Sequence, residues 1–463
     1  MSNKLERKYD LLTAICMVVG IVIGSGVFFK AQTILEKTGG DMPLGILAWL
    51  IGGAIMLVCL LTFSFMGQKY EKVNGLVDYA EATVGSKFGY IMGWFSATIY
   101  FPAMTAALAW LSARYTLVFL TTANPNFPLL IPADQGGCIV GPECMALALF
   151  YTCAIYGINA LSPKLAGKFQ TTTTVIKLIP LGLMAVVGVI YGLANGMLQQ
   201  NMTTLAVVEN PPANPLLASV CATAFAYEGW IIATSINAEI KDSKKNLPQA
   251  LVSGGIIIIA VYLFYYIGVA GGASNQQLID DGATVAFTNI FGNVFGNILN
   301  LFIAISCLGT TNGLMLGCTR CMYSLAARNE GPAPKIFKQV DAETNMPTNS
   351  GVFALLLVGV WYLYFYLSNL AQTWTGVFVF DSTELPIISV YLMYLPMLVQ
   401  WMRKAKDQNV LRRFIMPGLA MCGSAFMVTA CIISHKWGCV WYAIVFVVDV
   451  LLGIAFLKRR KTE

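Results

Sequence analysis

The stretch Leu11–Gly40, LLTAICMVVGIVIGSGVFFKAQTILEKTGG, is apolar and long enough to cross a bilayer, but it is interrupted in its middle. A membrane-spanning helix needs about 20 apolar residues and cannot leave backbone groups unpaired in lipid. Gly24, Ser25 and Gly26 are poor helix formers, so we expect a break there whose free N–H and C=O groups face a cavity. The N–H groups suit a carboxylate and the C=O groups an ammonium, which predicts a site for a small zwitterion. The spacing of Gly20 and Gly24 also fits a packing face that binds no ligand.

The composition is that of a membrane protein, with 57% hydrophobic and 11% charged residues in 463 positions. Soluble domains are about one quarter charged. Alternate connections are basic, whereas loops 121–147, 194–213 and 271–287 contain no Lys or Arg, which predicts that both termini are cytoplasmic and argues against a nucleic-acid partner. Twelve apolar spans are expected, at residues 11–35, 44–66, 88–120, 145–159, 169–193, 215–239, 248–271, 288–318, 350–369, 374–401, 411–433 and 437–457.

The sixth span contains a second interruption, at Tyr227, Glu228 and Gly229. It lies five spans after the first one. Discontinuous helices at matching positions in two halves indicate a transporter built from an inverted repeat, with its substrate site near the bilayer midplane. We therefore expect one transmembrane domain over residues 1–463, with repeats at about 11–193 and 215–401 and peripheral helices at about 411–457.

Two charged residues lie deep inside spans, where each costs about 2.5 to 3.5 kcal/mol and needs a partner or a role. Lys177 is about 13 Å from the start of its helix. It is interpreted as a fixed or titrating ammonium bonded to carbonyl groups of the broken first span, or else as a structural ion pair or a stem that reaches the interface. Glu228 is expected to hold a substrate ammonium, to carry a proton, or to pair with a lysine or a hydroxyl.

Other reactive residues do not predict an enzyme. Asp381 and Glu384 are interpreted as the lining of a solvated vestibule, and His435, the only histidine, as a solvated turn residue. One histidine excludes a His-based triad and a His-rich metal site, so no catalytic residue, metal or cofactor is expected. Cys138 and Cys144 share one loop, and their pairing as a disulfide stays an open hypothesis.

Four motifs carry a resemblance to a known family. They are IVIGSGVF at 21–28, ILAWLIGG at 46–53, FAYEGW at 225–230 followed by EIKDSKKNLPQAL at 239–251, and GTTNGLMLGCTRCMYSLAARNEGPAPKIF at 309–337. In this order and spacing the chain resembles the amino acid-polyamine-organocation (APC) transporter superfamily, and within it the L-type amino acid transporters and the bacterial serine/threonine exchangers. The resemblance implies an all-α membrane protein of twelve transmembrane helices, with a LeuT-type 5+5 inverted repeat in which helices 1 and 6 are broken.

The resemblance also implies a substrate site. The substrate carboxylate would meet backbone N–H groups in the first break, and the ammonium would meet the carbonyl groups of Val22 and Phe225. Phe225 matches the aromatic gate that covers the occluded substrate. The expected substrate-binding residues are Val22, Ser25, Gly26, Val27, Phe225, Ala226, Tyr227 and Glu228.

The resemblance further implies sodium-independent transport, because Lys177 matches a lysine that fills the position of a sodium ion in sodium-coupled relatives. Many L-type members have a glycine where this chain has Glu228. A large aromatic substrate would have to share the pocket with this carboxylate, so we expect small neutral L-amino acids and leave cationic ones open. We expect a permease of the cell membrane that works by alternating access, as an exchanger or, alternatively, as a proton-coupled symporter. A sensor that binds an amino acid without moving it is a further alternative, and no accessory subunit is inferred.

Overall fold

The computed structural model describes residues 10–24, 26–70, 75–230, 240–344 and 346–459. Ser25 therefore lies outside the described residues. The α-helices of these segments, in chain order, are α1 Leu11–Val22, α2 Gly26–Lys37, α3 Met42–Lys69, α4 Leu76–Thr83, α5 Ser86–Phe95, α6 Phe101–Ala123, α7 Gly137–Val140, α8 Pro142–Leu161, α9 Pro163–Leu183, α10 Val189–Ala194, α11 Met197–Thr203, α12 Pro215–Ala226, α13 Ser243–Gly272, α14 Asn275–Asp281, α15 Ala283–Phe291, α16 Asn293–Ala327, α17 Pro334–Phe337, α18 Thr348–Tyr364, α19 Leu385–Lys404, α20 Met416–His435 and α21 Trp437–Arg459.

Short π-helical turns join or extend several of these helices. The π turn Ser96–Tyr100 connects α5 to α6, and Met184–Gly188 connects α9 to α10. Two others, Phe365–Leu370 and Leu411–Ile415, follow α18 and precede α20. Single-turn π segments within long helices often occur at functional sites, and the first of these turns contributes a side chain to the site described below.

Within the described residues, ten helices are long and apolar enough to cross a membrane, and the protein is a multi-pass membrane protein. They are Met42–Lys69, Ser86–Ala123, Gly137–Leu161, Lys164–Ala194, Lys244–Gly272, Asn293–Ala327, Thr348–Leu370, Leu385–Lys404, Leu411–His435 and Trp437–Leu457. The helices α1 and α12 fall at the first and sixth expected spans, but each has only 12 residues. That length corresponds to about 18 Å, which is less than the hydrocarbon thickness of about 30 Å.

The described residues of the first expected span lie in two separate helices, α1 and α2. The side chain of Asp10 caps α1 by accepting a hydrogen bond from the backbone N–H of Thr13 at 2.8 Å. At the other end, the N–H of Ile23 donates to the Val19 carbonyl at 2.8 Å, and Ile23 itself is extended. Since α2 begins at Gly26, the carbonyl groups that follow Val19 are free to accept other donors.

The helix α12 also ends inside the bundle. Its last residue is Ala226, and residues 227–230 form turns. Gly229 has a φ of +102°, a backbone conformation that glycine adopts without the steric cost of a side chain. Residues 231–239 lie outside the described residues, so the structure describes the end of α12 but not the second half of the sixth expected span.

Two long helices hold these ends at the centre of the bundle. The helix α13 packs against α1 and α3, and α16 packs against α6 and α9. A Cβ atom added to Gly254 of α13 would lie 2.7 Å from Cγ1 of Val18, so only a glycine permits this approach to α1. Trp49 of α3 is fully buried beside the rings of Tyr227 and Tyr262, which surrounds the end of α12 with apolar side chains.

Candidate functional site

The two helix ends that the sequence singles out are in contact. A Cβ atom added to Gly26 would lie 2.8 Å from Cα of Ala226 and 3.3 Å from Cδ1 of Phe225. The first turn of α2 therefore packs on the last turn of α12. Because a helix has a partial positive charge at its N-terminus and a partial negative charge at its C-terminus, the site offers N–H donors and C=O acceptors side by side.

Tyr262 of α13 joins the ends of α1 and α12. Its hydroxyl oxygen lies 3.0 Å from the carbonyl oxygen of Val22 and 2.9 Å from that of Ala226. The ring is fully buried. A hydroxyl has one proton to donate, so it satisfies one of the two carbonyl groups fully at any moment. Nothing in the sequence of span seven distinguished this tyrosine from its neighbours.

Lys177 extends from α9 to the same region. It is fully buried, and its Nζ donates to the Gly20 carbonyl oxygen at 2.6 Å. Gly20 comes directly after Val19, whose carbonyl accepts the N–H of Ile23. Near the end of α1 the helix supplies no further N–H partners, so the Gly20 carbonyl accepts the lysine instead. Among the described residues no carboxylate lies within 4.0 Å of this ammonium. A backbone carbonyl, rather than an acid, is therefore its partner.

The helix that carries Lys177 is fixed against α16 by polar contacts. Asn312 of α16 donates to the side-chain oxygen of Gln170 at 3.0 Å and accepts from Asn159 of α8 at 2.8 Å. A Cβ atom added to Gly309 would lie 2.7 Å from Cβ of Thr173, which shows how closely α9 and α16 approach. These contacts hold the lysine in register with the first span.

The carboxylate of Glu228 also has a specific partner. The hydroxyl of Tyr100, in the π turn between α5 and α6, donates to Glu228 Oε1. Tyr227 is buried, and its hydroxyl donates to the carbonyl oxygen of Trp49 at 2.9 Å. The pairing of Glu228 with a hydroxyl is one of the three alternatives left open by the sequence.

Phe225 covers the contact between α2 and α12. Its ring meets Phe29 edge to face, with centroids 5.2 Å apart, and the Nζ of Lys30 lies 5.4 Å from its centroid. A cavity on the same side of α2 is lined by Phe28, Phe29, Gln32, Arg114, Tyr115, Val118, Asp281, Gly282, Ala283, Thr284, Asn300 and Ile303. The predicted residues Val22, Val27, Phe225, Ala226 and Tyr227 are all buried, but none of them lines this cavity.

A cluster of charged side chains lies at the end of the bundle where α2 ends. The carboxylate of Glu384 is buried and contacts Nζ of Lys30 at 2.5 Å, Nζ of Lys37 at 3.5 Å and Nε2 of His435 at 3.0 Å. The interpretation of Glu384 as the lining of a solvated vestibule is therefore wrong, because its charge is neutralised inside the protein. The interpretation of His435 as a solvated turn residue is also wrong, since it contacts that carboxylate and its side chain is only 16% exposed.

The signal for this cluster is present in the sequence, as charges of opposite sign at the same expected depth of spans one and ten. Asp381, four residues into the same motif, is partly buried and accepts hydrogen bonds from the backbone N–H groups of Thr383 and Glu384 at 2.7 and 2.8 Å. Cys138 and Cys144 are both buried and unbridged.

Comparison with known proteins places the chain in a family. Residues 9–456 match the family model described as amino acid permease. The chain belongs to the amino acid permease family. This membership confirms the resemblance to the APC superfamily, and it indicates a transporter rather than an enzyme.

The permease has relatives with printed activities. It is 27% identical to the serine/threonine exchanger SteT of Bacillus subtilis over 477 aligned positions, which cover 100% of this chain and 99% of that protein. It is 25% identical over 355 positions to the large neutral amino acids transporter small subunit 2 of Oryctolagus cuniculus, with 76% of this chain and 63% of that protein covered. The Asc-type amino acid transporter 1 of Homo sapiens is 23% identical over 470 positions, 99% of this chain and 84% of that protein.

A solved structure has the same fold. The crystal structure of MhsT in complex with L-phenylalanine superimposes with a TM-score of 0.63 at 14% sequence identity, and the match covers 94% of this permease and 100% of that chain. The expectation of an all-helical membrane protein with a LeuT-like fold is confirmed.

Proposed function

We propose that this permease is a sodium-independent exchanger of small neutral L-amino acids that works by alternating access across the cell membrane. The relatives support amino acid exchange, because one of them is named a serine/threonine exchanger and others are named amino acid transporters. The single observation that carries the mechanism is the buried ammonium of Lys177 on the backbone of α1.

Lys177 provides the physical reason for independence from sodium. In transporters with discontinuous helices, freed carbonyl groups at half-helix ends coordinate the coupling cation. Here the Gly20 carbonyl oxygen, at the end of α1, already accepts a hydrogen bond from an ammonium that is covalently part of α9. In this proposal the Lys177 amine takes the place of a dissolved coupling cation at the first break.

The substrate binds between the two helix ends in this proposal. Its carboxylate meets the N–H groups of Gly26 and Val27, together with Ser25, which lies outside the described residues. Its ammonium meets the carbonyl groups of Val22 and Phe225. The remaining lining comes from Ala226, Tyr227 and Glu228, with Phe225 as the gate. Support for a small substrate comes from the close packing of Gly26 on Ala226 and from the Tyr100–Glu228 pair, both of which limit the space for a side chain.

The proposed topology has twelve spans. The helices α1 and α2 together form the first, and α12 with the residues after it forms the sixth, so that repeats over about 11–193 and 215–401 are followed by two peripheral helices. The distribution of Lys and Arg supports cytoplasmic termini. Reporter fusions at each terminus test this, because a reporter that is active only in the cytoplasm must be active at both ends.

Alternating access requires one end of the bundle to open while the other stays closed. At the end where α2 ends, Lys30 of α2 is paired with Glu384, the residue before α19. At another surface of the bundle, Arg328, which follows α16, contacts Asp78 and Glu81 of α4. We propose that separation of α2 from α19 opens the first of these ends.

Transport into liposomes tests the proposal. Purified permease in sodium-free liposomes is loaded with single unlabelled amino acids, and the uptake of labelled serine, alanine, leucine and arginine is followed. We expect uptake of serine and alanine only when a transported amino acid is inside, and the same rate after sodium is added. Uptake that requires sodium would contradict the assigned role of Lys177, and uptake into empty liposomes without any gradient would contradict exchange.

Proton-coupled symport is the second candidate, and the Tyr100–Glu228 contact favours it. A carboxylate beside the end of α12 that is hydrogen bonded by a hydroxyl is chemically able to accept and release a proton. The distinguishing result is uptake into empty liposomes driven by an inward proton gradient. That uptake should disappear in Glu228→Gln, whereas amino acid exchange without a proton gradient should persist in the same variant.

A further inference from the structure

Three potential metal ligands come together at the end of the bundle that contains Glu384. They are Cys221 of α12 and Cys431 and His435 of α20, and their ligand atoms all lie within 4.8 Å of one another. Cys431 and His435 are four residues apart in one helix, so both side chains lie on the same face. The sequence alone gave no reason to connect them with Cys221, which lies 210 positions before Cys431 (431 minus 221).

Glu384 lies beside these three residues, and its Oε2 is also 3.5 Å from Lys37 Nζ. Its Oε1 is 2.5 Å from Lys30 Nζ, while its Oε2 faces the cluster, 3.8 Å from Cys221 Sγ and 3.0 Å from His435 Nε2. Around a tetrahedral zinc ion with bonds of about 2.0 to 2.3 Å, neighbouring ligand atoms are separated by about 3.3 to 3.8 Å. The ligand atoms of Cys221, Cys431 and His435, which lie within 4.8 Å of one another, would reach this spacing through small movements of their side chains.

We propose that Cys221, Cys431, His435 and Glu384 form a binding site for one Zn²⁺ ion. Two thiolates and an imidazole are soft or borderline ligands, which favours zinc over calcium or magnesium. Zn²⁺ binds thiolates and a neutral imidazole, so it displaces two thiol protons together with any proton on His435, and the net charge of the cluster does not increase. The neighbouring ammonium groups of Lys30 and Lys37 therefore do not oppose the exchange of two protons for one divalent ion.

The nearby thiol of Cys439 borders the cluster. Its Sγ donates to the carbonyl oxygen of Cys431 at 3.5 Å, and it also lies in hydrogen-bond contact with the Cys431 thiol. The side chains of His435 and Lys37 are 16% and 27% exposed, which leaves an aqueous approach to the otherwise buried cluster. An ion is thus able to enter from this end of the bundle.

Zinc at this position would restrain the sixth span. Cys221 lies one helical turn before Phe225 in α12, and Cys431 and His435 belong to α20. An ion bound to both helices would hold α12, with its gating phenylalanine, against α20. The site would then act as an inhibitory clamp. This consequence rests on the proposed function, but metal binding itself does not.

Cobalt provides a direct probe of the site. Purified, reduced and metal-free permease is titrated with Co²⁺, whose tetrahedral thiolate complexes absorb visible light, and the cobalt is then displaced with Zn²⁺. We expect one ion per chain in the wild type. Cys431→Ser and His435→Asn should each weaken binding by about 100-fold or more, because loss even of a residue that only supports a metal ligand costs about 10- to 100-fold. Cys422→Ser is the matched control, since Cys422 is an exposed cysteine of the same helix.

The outcomes separate the metal site from the transport function. Absence of the cobalt spectrum, or an unchanged spectrum in both Cys431→Ser and His435→Asn when these elute as monodisperse folded protein, would overturn the site. Zinc should lower amino acid exchange about tenfold in the wild type and in Cys422→Ser, with recovery on chelation, and should leave Cys431→Ser unaffected. Binding without inhibition would overturn the clamp. If no variant exchanges amino acids, the proposed function fails while the cobalt titration still decides the metal site.

Discussion

Two buried lysines lie near the break of the first span, and their charges are stabilised in different ways. Lys30 of α2 is 5% exposed and pairs with the buried carboxylate of Glu384. Lys177 of α9 is fully buried and donates to the Gly20 carbonyl oxygen of α1. Lys30 pairs with an acid that precedes another helix, whereas the partner of Lys177 among the described residues is a backbone carbonyl.

The difference indicates which of the two contacts is expected to break during transport. Moving a charged group from water into the protein interior costs on the order of several kcal/mol unless the charge is paired. If α2 separates from α19, as proposed above, water can hydrate Lys30 and Glu384 separately. This ion pair can therefore break and form again. Lys177 has no acidic partner among the described residues, and its hydrogen bond is to the Gly20 carbonyl in the buried interior. We therefore expect the contact between Lys177 and α1 to persist during transport. The comparison predicts that disruption of the first contact changes stability and gating, and disruption of the second changes transport itself.

The largest effect is expected for Glu384→Gln. This substitution leaves Lys30 and Lys37 near the cluster without their carboxylate, and breaking a buried ion pair by removing one partner costs about 3 to 5 kcal/mol. Thermal melting of the purified protein in detergent measures it. The double variant Lys30→Gln/Glu384→Gln should recover part of the loss, and equal melting temperatures for wild type and Glu384→Gln would contradict the structural role of the pair.

Lys177→Met should have the next largest effect. A hydrogen bond from a charged donor contributes about 1.5 to 3 kcal/mol, which corresponds to a fall in exchange of about 10- to 100-fold if the bond holds the first span in its transporting geometry. Exchange in sodium-free liposomes measures the loss. Lys168→Met is the control, because Lys168 is an exposed lysine of the same helix. Full activity of Lys177→Met would show that the ammonium is dispensable.

Tyr262→Phe should have a moderate effect. It removes the hydroxyl near Val22 and Ala226, and one neutral hydrogen bond contributes about 0.5 to 1.5 kcal/mol, or about a two- to tenfold change in substrate affinity. Tyr266→Phe is a close control, because the Tyr266 hydroxyl is also buried in α13 but has no hydrogen-bond partner among the described residues. Identical substrate affinities of the two variants would remove Tyr262 from the site.

The smallest effect is expected for Asp407→Asn. Its carboxylate pairs with Lys69 at the exposed surface, and such pairs contribute little. The hydrogen bond from Lys69 lowers the pKa of Asp407 to about 2. A lowered pKa stabilises the folded state above the ordinary value of 3.8, and that contribution is lost only as the pH falls toward 2. Because water screens this exposed pair, Asp407→Asn should lower the melting temperature at pH 7 only slightly, and a large drop would show that the pair has a structural role.

The all-helical membrane fold was predictable from the sequence because hydropathy indicates membrane-spanning segments directly, whereas the count of twelve spans stays a prediction. Gly24 comes shortly after the end of α1, Tyr227 comes directly after the end of α12, and the first residue of α2, Gly26, contacts the last turn of α12. A hydrogen bond from Lys177 to a carbonyl group of the first span is also one of the interpretations that the sequence allows, and the structure has such a bond to Gly20. These features depend on local composition and on polar or charged residues within apolar spans, and both can be read from one sequence.

The charged cluster was missed for a geometric reason. Lys30 and Glu384 are 354 positions apart, and a span shows the depth of a charge but not the direction in which it points around the helix. His435 was judged from its place in a turn, although α20 carries it to the buried carboxylate. Tyr262 could not be found either, because a tyrosine in an apolar span resembles any other aromatic packing residue until the two helix ends are placed beside it.

The contact of one tyrosine hydroxyl with two carbonyl groups has a consequence for which molecules are recognised. At this point of the bundle there are two acceptors, Val22 O and Ala226 O, and a single proton from Tyr262. A primary ammonium brings three protons and removes the shortage, whereas a trimethylammonium group brings the same charge and no proton. We therefore expect the site to distinguish an amino acid from its betaine by the hydrogen bonds that the ammonium donates, because both molecules carry the same positive charge.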